Sequence, residues 1–368
     1  MQTISINTLN KDYDVLVGTN IYDQALHLHV EQLQKADHVV VFVDEVVASL
    51  HLKKLLEPLK SIVGDKVHVF ELPSGESSKT METFMACHSY LLEIGCTRKS
   101  IIFAFGGGAT GDVVGFVAST FMRGIPFFQC PTTILAHDSA VGGKTAINHP
   151  QGKNMIGSFY QPEAVIYDIS MLNTLPQKEV LSGLAEVIKH ALISDSNWTD
   201  ELLTHSSLND ISSEQYLSYL VKGIQVKATI VEADEFEQSV RKYLNLGHTY
   251  GHAIEASAGY GNITHGESVA IGLVISLLVS ENVKSLQKGT ARRLFDFLVL
   301  LGYSFDPVLQ KEFDELMAYM KRDKKASYDN LHFVLLEEIG KPCVQIVSDD
   351  EVLSAHHILQ HWVEEENK

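Results

Sequence analysis

The chain has 368 residues, of which 45% are hydrophobic and 20% are charged, a balance typical of a globular protein rather than a disordered or collagen-like one. Its 29 Lys and Arg residues against 46 Asp and Glu residues give a formal net charge of −17. Such a charge repels a polyanion, and no run of five basic residues offers a local exception, so nucleic acid is excluded as a partner. At about 150 residues per domain, the length predicts two domains.

The N-terminus and the apolar stretches predict a cytoplasmic protein without a membrane partner. Residues 1–18 lack a basic start followed by an apolar core, so no secretory signal is visible. The longest apolar stretch, 269–279, is far shorter than the about 20 residues of a membrane span and predicts a buried helix. The four cysteines form no Cys-x-x-Cys pair and are expected to be reduced thiols that mostly pack inside the protein.

In the first half of the chain, short β-rich runs alternate with amphipathic helical patterns. This alternation predicts an α/β layer with a parallel sheet. The predicted strands are 38–43, 66–72, 100–105, 126–130 and 164–168, and the predicted helices are 45–59, 79–94 and 111–121. The stretch from 131 to 163 shows no periodicity and is rich in glycine, lysine, Asp and Asn, which is typical of a long functional connection.

Helical periodicity dominates after residue 176. The predicted helices are 181–192, 214–234, 251–258, 268–280 and 290–301. The apolar run 331–336 fits either a late strand or a buried helical turn. The change in periodicity predicts an α/β domain at 1–177 and an all-α domain at 178–368.

A glycine-rich run, 106–112, lies between a predicted strand and a predicted helix. Glycines let backbone N–H groups approach a phosphate, and the dipole of a helix N-terminus favours the anion. The run satisfies G-x-G-x-x-G, but it departs from the usual Rossmann fingerprint because it does not stand at a first strand–helix turn. Asp44 and the polar run 74–79 follow two further strands, which favours a nucleotide site over a turn that only packs a helix on the sheet.

Histidines and one carboxylate form a candidate metal site in the second half. Glu186 shares a helix face with Lys189, and His248 and His252 stand at i, i+4 spacing. Two histidines at this spacing and a ligand from another helix can hold a catalytic zinc ion, although a chain with 17 histidines also contains such pairs by chance. Spacing alone leaves the ligands open among His190, His248, His252 and His265.

Cationic and amide side chains concentrate in the same regions. In a chain of net charge −17 they favour an anionic substrate, the alternative being solvated surface charges. These residues are Arg123, Lys144, Lys153, Asn154, Lys189, Lys227, Arg241, Asn245, Lys324 and Lys325.

The chain closely resembles the 3-dehydroquinate synthase family, whose motifs recur in order along most of its length. The matching segments are GGGATGDVVGFVASTFMRG (106–124), PTTILAHDSAVGGKTAINHPQGKNMIGSFYQP (131–162), TLP (174–176), GLAEVIKH (183–190), KATIVEADEFE (227–237), RKYLNLGHTYGHAIEA (241–256), HGESVAIG (265–272) and DKK followed by FVLLEEIGKP (323–342).

The resemblance implies a homodimer with a Rossmann-like NAD-binding domain, a helical metal-binding domain and an active site in the cleft between them. It implies Glu186, His248 and His265 as the ligands of a zinc or cobalt ion. The residues that it places at the dinucleotide or its edge are Asp44, Glu76, Lys79, Gly107, Gly108, Asp112, Thr132, Thr133, Asp138, Ser139, Lys144, Lys153, Thr174 and Ser182.

The same resemblance implies the substrate-binding and catalytic residues. Those of the phosphate pocket are Lys144, Asn154, Asn245, His252, one of Lys324 and Lys325, and Arg123 from the other subunit. Arg241 and Lys227 suit the substrate carboxylate. Asp138 and Lys189 suit a ring hydroxyl. Glu237 matches a position of proton transfer.

The activity implied is that of a carbon–oxygen lyase acting on phosphates, in the shikimate pathway of aromatic amino acid biosynthesis. The carboxylated heptulose phosphate 3-deoxy-D-arabino-heptulosonate 7-phosphate becomes 3-dehydroquinate and phosphate by NAD-mediated oxidation, phosphate β-elimination, reduction and intramolecular aldol closure. The alternatives are another sugar phosphate cyclase and a metal-dependent polyol dehydrogenase of the same superfamily. Arg241 favours the synthase, because only the carboxylate distinguishes its substrate from those of the other cyclases.

Overall fold

The computed structural model describes residues 1–259, 262–323 and 331–368. The chain divides into two compact units, Met1–Pro176 with Leu220–Phe236 and Gln177–Tyr219 with Glu237–Lys368. Residues 220–236 belong to the first unit, although their helical periodicity groups them with the second half of the sequence.

Polar contacts hold that inserted segment to the rest of the first unit. Glu232 Oε1 accepts a hydrogen bond from Asn7 N at 2.8 Å, and Glu235 Oε1 accepts one from Gln161 Nε2 at 2.9 Å. These partners are far apart in sequence, so local periodicity carries no signal of the contact.

Within its described residues, the first unit consists of strands, α-helices and short 3₁₀ turns. The strands are β1 (Gln2–Ile6), β2 (Tyr13–Gly18), β3 (Val39–Asp44), β4 (Val67–Leu72), β5 (Ile101–Gly106), β6 (Phe127–Pro131), β7 (Lys144–His149), β8 (Gly152–Phe159) and β9 (Ala164–Asp168). The helices are α1 (Tyr22–His27), α2 (Val30–Lys35), α3 (Glu45–Val63), α4 (Met81–Glu93), α5 (Gly108–Thr120) and α6 (Ala136–Ser139), together with residues 220–233 of a helix that begins in the second unit. The 3₁₀ turns are Gly64–Lys66, Gly75–Ser78, Phe121–Arg123 and Ile169–Thr174.

A seven-stranded sheet, counted over the described residues, organises this unit in the order β1-β2-β9-β6-β5-β3-β4. β1 pairs antiparallel with β2, and the other pairs are parallel. β3, β5, β6 and β9 are buried along their whole length, because helices cover both faces of the sheet. The parallel strands therefore bring Asp44, Gly106 and Thr132 to one edge, which is where α/β sheets bind ligands.

The stretch that lacks periodicity in the sequence contains α6 and an antiparallel hairpin of β7 and β8. The hairpin is irregular, since its register shifts between Ile147 and His149. β8 is only partly buried, so its residues show no alternation of apolar and polar side chains. This is the physical reason why the sequence did not predict these strands.

The second unit is helical apart from one hairpin, within its described residues. Its helices are α7 (Gln177–Ser194), α8 (Ser196–Leu202), the first turns of α9 (Ser213–Ala233), α10 (His248–Ala258), α11 (His265–Val283), α12 (Thr290–Leu301), α13 (Phe313–Asp323) and α14 (Asp349–Glu366). Its 3₁₀ turns are Leu208–Asp210, Val240–Asn245 and Asp306–Val308, and its strands are β10 (Leu331–Glu338) and β11 (Lys341–Val347).

The run 331–336 is a strand, which confirms the first of its two interpretations and excludes the helical turn. It pairs antiparallel with β11, with Leu335 opposite Cys343. Helix α11 contains the apolar stretch that predicted a buried helix. By length and composition α11 could cross a membrane, with a mean hydropathy of 1.4, but 78% of its most apolar window is buried in the protein, as in a core helix.

Candidate active site

A glycine turn joins the end of β5 to the start of α5 in the first unit. Gly107 stands at the N-cap, and α5 begins at Gly108, earlier than the predicted start at Gly111. A Cβ on Gly108 would lie 2.7 Å from Ser139 Oγ, so glycine allows Ser139 to approach this closely. The first N–H groups of α5 have no carbonyl partner within the helix, which gives this turn the means to bind a phosphate.

Two buried hydroxyls lie beside the glycine turn. Thr132 N donates to Gly106 O at 3.0 Å, which places Thr132 and the following Thr133 at the turn. The Oγ1 atoms of Thr110 and Thr132 are buried and have no hydrogen-bond partner among the residues that the structure describes. Because burying a hydroxyl without a partner is unfavourable, both atoms suit a polar ligand. Thr110 was not among the predicted residues; its only signal is that its hydroxyl lies within the glycine-rich run 106–112.

Asp44, the last residue of β3, uses both carboxylate oxygens within the first unit. Oδ1 accepts hydrogen bonds from Val46 N and Val47 N at 2.9 and 3.2 Å and so caps α3. Oδ2 accepts from Gly75 N at 3.0 Å. Among the described residues, Oδ2 accepts only this one hydrogen bond and so keeps a second lone pair, and the expected contact of Asp44 with a ribose hydroxyl stays a prediction.

Lys79 is a buried cation, and the side chains of three other predicted residues lie around its Nζ atom. This atom lies 2.7 Å from Asp112 Oδ2, 2.5 Å from Asn154 Oδ1 and 4.0 Å from Glu76 Oε1. Burial raises the pKa of the Asp112 carboxyl, and the Lys79 ammonium opposes that rise. Residues that the resemblance assigned to NAD and to the substrate phosphate therefore form one polar network.

Lys227, on the part of α9 that belongs to the first unit, pairs with Asp138 of α6. Its Nζ lies 2.9 Å from Asp138 Oδ2 and also donates to the Asp138 carbonyl oxygen. Lys227 is only 6% exposed. The resemblance assigns Lys227 to the substrate carboxylate, and Asp138 to the edge of the dinucleotide and a ring hydroxyl. In the structure the two side chains pair with each other.

The remaining predicted residues of the first unit lie on the hairpin and at the ends of elements. Lys144 begins β7 and is exposed, and Lys153 on β8 is half-buried. Thr174 Oγ1 lies 2.6 Å from His51 Nε2. Arg123 is exposed and has a left-handed φ of 69°, which turns the chain sharply after α5.

Four predicted residues of the second unit meet in one cluster. Glu186 lies on α7, His248 and His252 on α10, and His265 begins α11. The ligand atoms of the three histidines lie within 4.8 Å of one another, and His190 is not part of that group. Glu186 Oε1 lies 3.3 Å from His265 Nε2 and 3.5 Å from His248 Nε2. Imidazole and carboxylate groups at these distances can ligate one Zn²⁺ or Co²⁺ ion.

Close packing of α11 against α7 brings His265 to Glu186. A Cβ on Gly266 would lie 1.9 Å from Ser182 O, so only glycine permits this approach. Ser182 Oγ also accepts a hydrogen bond from Gly266 N at 3.2 Å. Ser182 was assigned to the edge of the dinucleotide; in the structure it joins the two helices that carry Glu186 and His265.

The outer ring nitrogens of two of these histidines have partners of their own. His248 Nδ1 lies 3.1 Å from Leu246 O, and His265 Nδ1 lies 3.3 Å from Glu255 Oε2. In the neutral ring, an Nδ1 that donates leaves the lone pair on Nε2, and both Nε2 atoms face Glu186. Glu255 was not predicted, although its position at i+7 from His248 places it on the same face of α10.

Burial and the neighbouring charges shift the pKa values of two of the three histidines in opposite directions. Burial lowers the pKa of His248 to about 3. Burial also acts to lower the pKa of His265, but the carboxylates of Glu186 and Glu255 outweigh it and raise that pKa to about 9. Lys189 Nζ lies 2.5 Å from Glu186 Oε2, so Glu186 holds a cation on one oxygen and faces imidazoles with the other. A bound metal ion competes with protons for these ring nitrogens.

Three further predicted residues of the second unit, Glu237, Arg241 and Asn245, lie in the segment before α10. Glu237 has a left-handed φ of 59°, and its Oε1 accepts a hydrogen bond from Asn245 Nδ2 at 2.8 Å. Arg241 is 1% exposed, so its charge is held inside the unit. Lys324 and Lys325 lie outside the described residues, and the assignment of one of them to the phosphate stays a prediction.

Comparisons with known proteins match both halves of the chain. Residues 69–182 match the family model of the 3-dehydroquinate synthase N-terminal domain, and residues 183–326 match that of its C-terminal domain. A 3-dehydroquinate synthase of Lysinibacillus sphaericus (strain C3-41) is 52% identical over 344 residues, which are 94% of each chain. The chain belongs to the 3-dehydroquinate synthase family. The resemblance stated from the sequence motifs is thereby confirmed.

Two solved structures of related enzymes share the fold of this chain over most of its length. A 2-deoxy-scyllo-inosose synthase complexed with carbaglucose-6-phosphate, NAD⁺ and Co²⁺ matches with a TM-score of 0.84 at 25% identity, over 97% of this chain and 99% of that one. A 2-epi-5-epi-valiolone synthase from Streptomyces hygroscopicus subsp. jinggangensis 5008, with NAD⁺ and Zn²⁺ bound, matches with a TM-score of 0.84 at 26% identity, over 95% and 97%. The predicted fold class, an α/β unit and a helical unit, is confirmed.

Proposed function

We propose that this chain catalyses the reaction named for its family, the conversion of 3-deoxy-D-arabino-heptulosonate 7-phosphate to 3-dehydroquinate and phosphate, with NAD and a zinc or cobalt ion as cofactors. The observation that carries this proposal is the cluster of Glu186 with His248, His252 and His265. The family to which the chain belongs and the cofactors named for the two related cyclases agree with it.

The donor set of the second unit fits a divalent metal ion. Glu186, His248 and His265 supply one carboxylate and two imidazoles, whose facing atoms lie 3.3 to 3.5 Å apart. Three protein ligands leave a coordination position for substrate, as catalytic zinc sites require. When bound, the ion polarises the C5 oxygen of the substrate. His252, whose ring lies beside the other two histidines, is assigned to contact the substrate or to support the ligands from outside.

The edge of the first unit fits a dinucleotide. The glycine turn at the start of α5 and the buried hydroxyls of Thr110 and Thr132 offer donors where a pyrophosphate would lie. Asp44 and Glu76 supply acceptors suited to ribose hydroxyls. A dinucleotide held by these residues would supply reversible hydride transfer at C5 of the substrate, with no net oxidation over a turnover.

Fixed cations suit the two anionic groups of the substrate. We assign the phosphate to Lys144, Asn154, Asn245 and His252, with Lys324 or Lys325, and the carboxylate to Arg241 and Lys227. Arg241 is 1% exposed, and an ion pair formed in such a position is little weakened by water.

Two further side chains of the second unit suit the handling of protons. Lys189 is buried against Glu186, which keeps its ammonium group in place to orient a ring hydroxyl. Glu237 is held by the hydrogen bond from Asn245, and we assign it to proton transfer. Asp138, paired with Lys227 in the first unit, suits the same hydroxyl as Lys189.

The proposal includes a homodimer in the cytoplasm. We assign Arg123, which is exposed at a sharp turn after α5, to the phosphate pocket of a second subunit, as the family resemblance implies. A cytoplasmic location agrees with α11, which is long and apolar but packs as a core helix.

The first test is to measure inorganic phosphate and free NADH released from 3-deoxy-D-arabino-heptulosonate 7-phosphate. The enzyme is stripped with a chelator and then given NAD⁺ with or without zinc. We expect zinc-dependent phosphate release over many turnovers without accumulation of NADH. No phosphate release, together with stoichiometric NADH from a simple polyol, would instead identify a polyol dehydrogenase.

A further inference from the structure

The amide of Asn148, in the hairpin of β7 and β8, joins several residues that the proposed function assigns to ligands. Its Oδ1 accepts a hydrogen bond from Asn154 N at 2.9 Å, and its Nδ2 donates to Glu76 Oε1 at 2.6 Å. Its backbone N donates to Lys79 O at 2.8 Å. Asn148 therefore uses both ends of its side chain on other residues of the site.

Asn154 needs this support because of its backbone. Its φ of 57° lies in the left-handed region, which most residues with a Cβ avoid and which asparagine adopts when local hydrogen bonds hold it. The hydrogen bond from Asn154 N to Asn148 Oδ1 stabilises that conformation. Asn154 Oδ1 in turn accepts from Lys79 Nζ at 2.5 Å, which directs the other end of the Asn154 amide, a donor, to an anionic ligand.

Glu76 needs orientation for a different reason. Its side chain is 43% exposed, so burial alone does not fix its rotamer. The neighbouring cations are distant, with Lys153 Nζ at 3.8 Å and Lys79 Nζ at 4.0 Å from Glu76 Oε1. The 2.6 Å hydrogen bond from Asn148 is the shortest of these contacts and is charge-assisted.

We propose that Asn148 is a positioning residue that acts in two directions. Through Asn154 it sets the affinity for the phosphorylated substrate, and through Glu76 it sets the affinity for NAD⁺. The inference rests on the proposed function, which assigns Asn154 and Glu76 to those two ligands.

Two substitutions of Asn148, alone and combined with Glu76→Gln, separate its contact with Asn154 from its contact with Glu76. Asn148→Ala removes both, and we expect it to raise the KM for the heptulosonate phosphate and the Kd for NAD⁺ each about tenfold. Asn148→Asp keeps an oxygen that accepts from Asn154 N but sets a carboxylate against that of Glu76, so only the Kd for NAD⁺ should rise. In Asn148→Asp combined with Glu76→Gln, the glutamine amide can donate to the aspartate. The Kd of this double variant should therefore fall back to that of Glu76→Gln alone.

Gln151→Ala is the matched control, because it removes an exposed amide from the same hairpin. It should change neither constant, and the melting temperature of each variant reports general loss of structure. Equal effects of Asn148→Ala and Asn148→Asp on both constants, or no effect on either, would overturn the proposal. The Kd for NAD⁺ is measured by calorimetry without turnover, so failure of the proposed reaction is seen separately, as a wild-type enzyme that releases no phosphate.

Discussion

Glu255 Oε2 lies 3.3 Å from Nδ1 of His265, while Nε2 of the same ring lies 3.3 Å from Glu186 Oε1. The imidazole is thus held between two carboxylates, one in the candidate metal cluster and one outside it. A carboxylate on the outer nitrogen fixes the tautomer and orientation of a ligand histidine and makes it a stronger base. Glu255 is 4% exposed, so water screens this interaction little.

We expect Glu255→Gln to weaken zinc binding about 10- to 100-fold, because glutamine retains an acceptor oxygen but not its charge. Competition with a chromophoric chelator measures the Kd for Zn²⁺ directly, without substrate. Glu255→Asp, which keeps the charge on a shorter side chain, is the comparison. An unchanged zinc affinity in Glu255→Gln would show that Glu255 does not support the metal site.

Glu186→Gln removes the anionic ligand of the proposed metal site. We expect turnover to be abolished and zinc binding to weaken, since a neutral amide is a poor zinc ligand. The Kd for NAD⁺ should change little, because the residues assigned to NAD, apart from Ser182, lie in the first unit. Calorimetric titration of the variant with each ligand tests both statements, and loss of NAD⁺ binding would contradict the division of the two sites.

Arg241→Ala should raise the KM for the carboxylated substrate more than it lowers kcat, because the proposed role of Arg241 is to bind a carboxylate that does not react. The expected loss is about 10- to 100-fold, the range for a charged hydrogen bond. Arg241→Lys keeps the charge but not the bidentate geometry of the guanidinium group. Its KM should therefore lie between those of Arg241→Ala and the wild type. Since Arg241 is buried, melting temperatures must accompany the kinetics. An unchanged KM would remove the argument that Arg241 selects the synthase substrate.

The acid stability of the second unit should depend on His356. Tyr250 Oη lies 2.6 Å from His356 Nδ1, with Phe313 and His357 beside the same ring. Burial, helped by His357, lowers the pKa of His356 to about 4. Between pH 6.5 and 4, His356 is therefore protonated in the unfolded chain and neutral in the folded protein. This difference lowers the free energy of unfolding as the pH falls.

His356→Asn tests this pH dependence, because asparagine keeps an acceptor near Tyr250 but does not titrate. We expect the variant to be less stable at pH 7.5 but to lose less stability between pH 6.5 and 4, by on the order of 2 kcal/mol. Urea unfolding of both proteins at each pH gives the difference, in which the other titrating groups cancel. Parallel pH profiles would refute the prediction.

The buried parallel strands β3, β5, β6 and β9 were predicted from the sequence, and a strand was one of the two interpretations of β10, but β2, β7, β8 and β11 were not predicted. β3 and β5 are continuous apolar runs, because helices cover both faces of the sheet. β8 and β11 are partly exposed and carry no such run. Likewise, the inclusion of Lys227 in the first unit depends on long-range contacts of its helix, for which periodicity has no signal.

In the candidate site, local spacing identified the His248 and His252 pair, which lies on one face of α10. The approach of Glu186 to His265 depends on the contact of Gly266 with Ser182, between helices far apart in the chain. Only the family motifs carried that information before the structure. Glu255 lies within a quoted motif, yet its contact with His265 became visible only when the two helices were placed together.

The insertion of residues 220–236 into the first unit has a consequence for how the protein is made. A ribosome that has released residues 1–176 has not yet supplied Glu232, Glu235 and Lys227, the partners of Asn7, Gln161 and Asp138. The first unit therefore cannot complete its fold during synthesis until residues 220–236 are available, by which time residues 177–219 of the second unit have been made. Cutting the gene at the apparent domain boundary would separate the first unit from these partners.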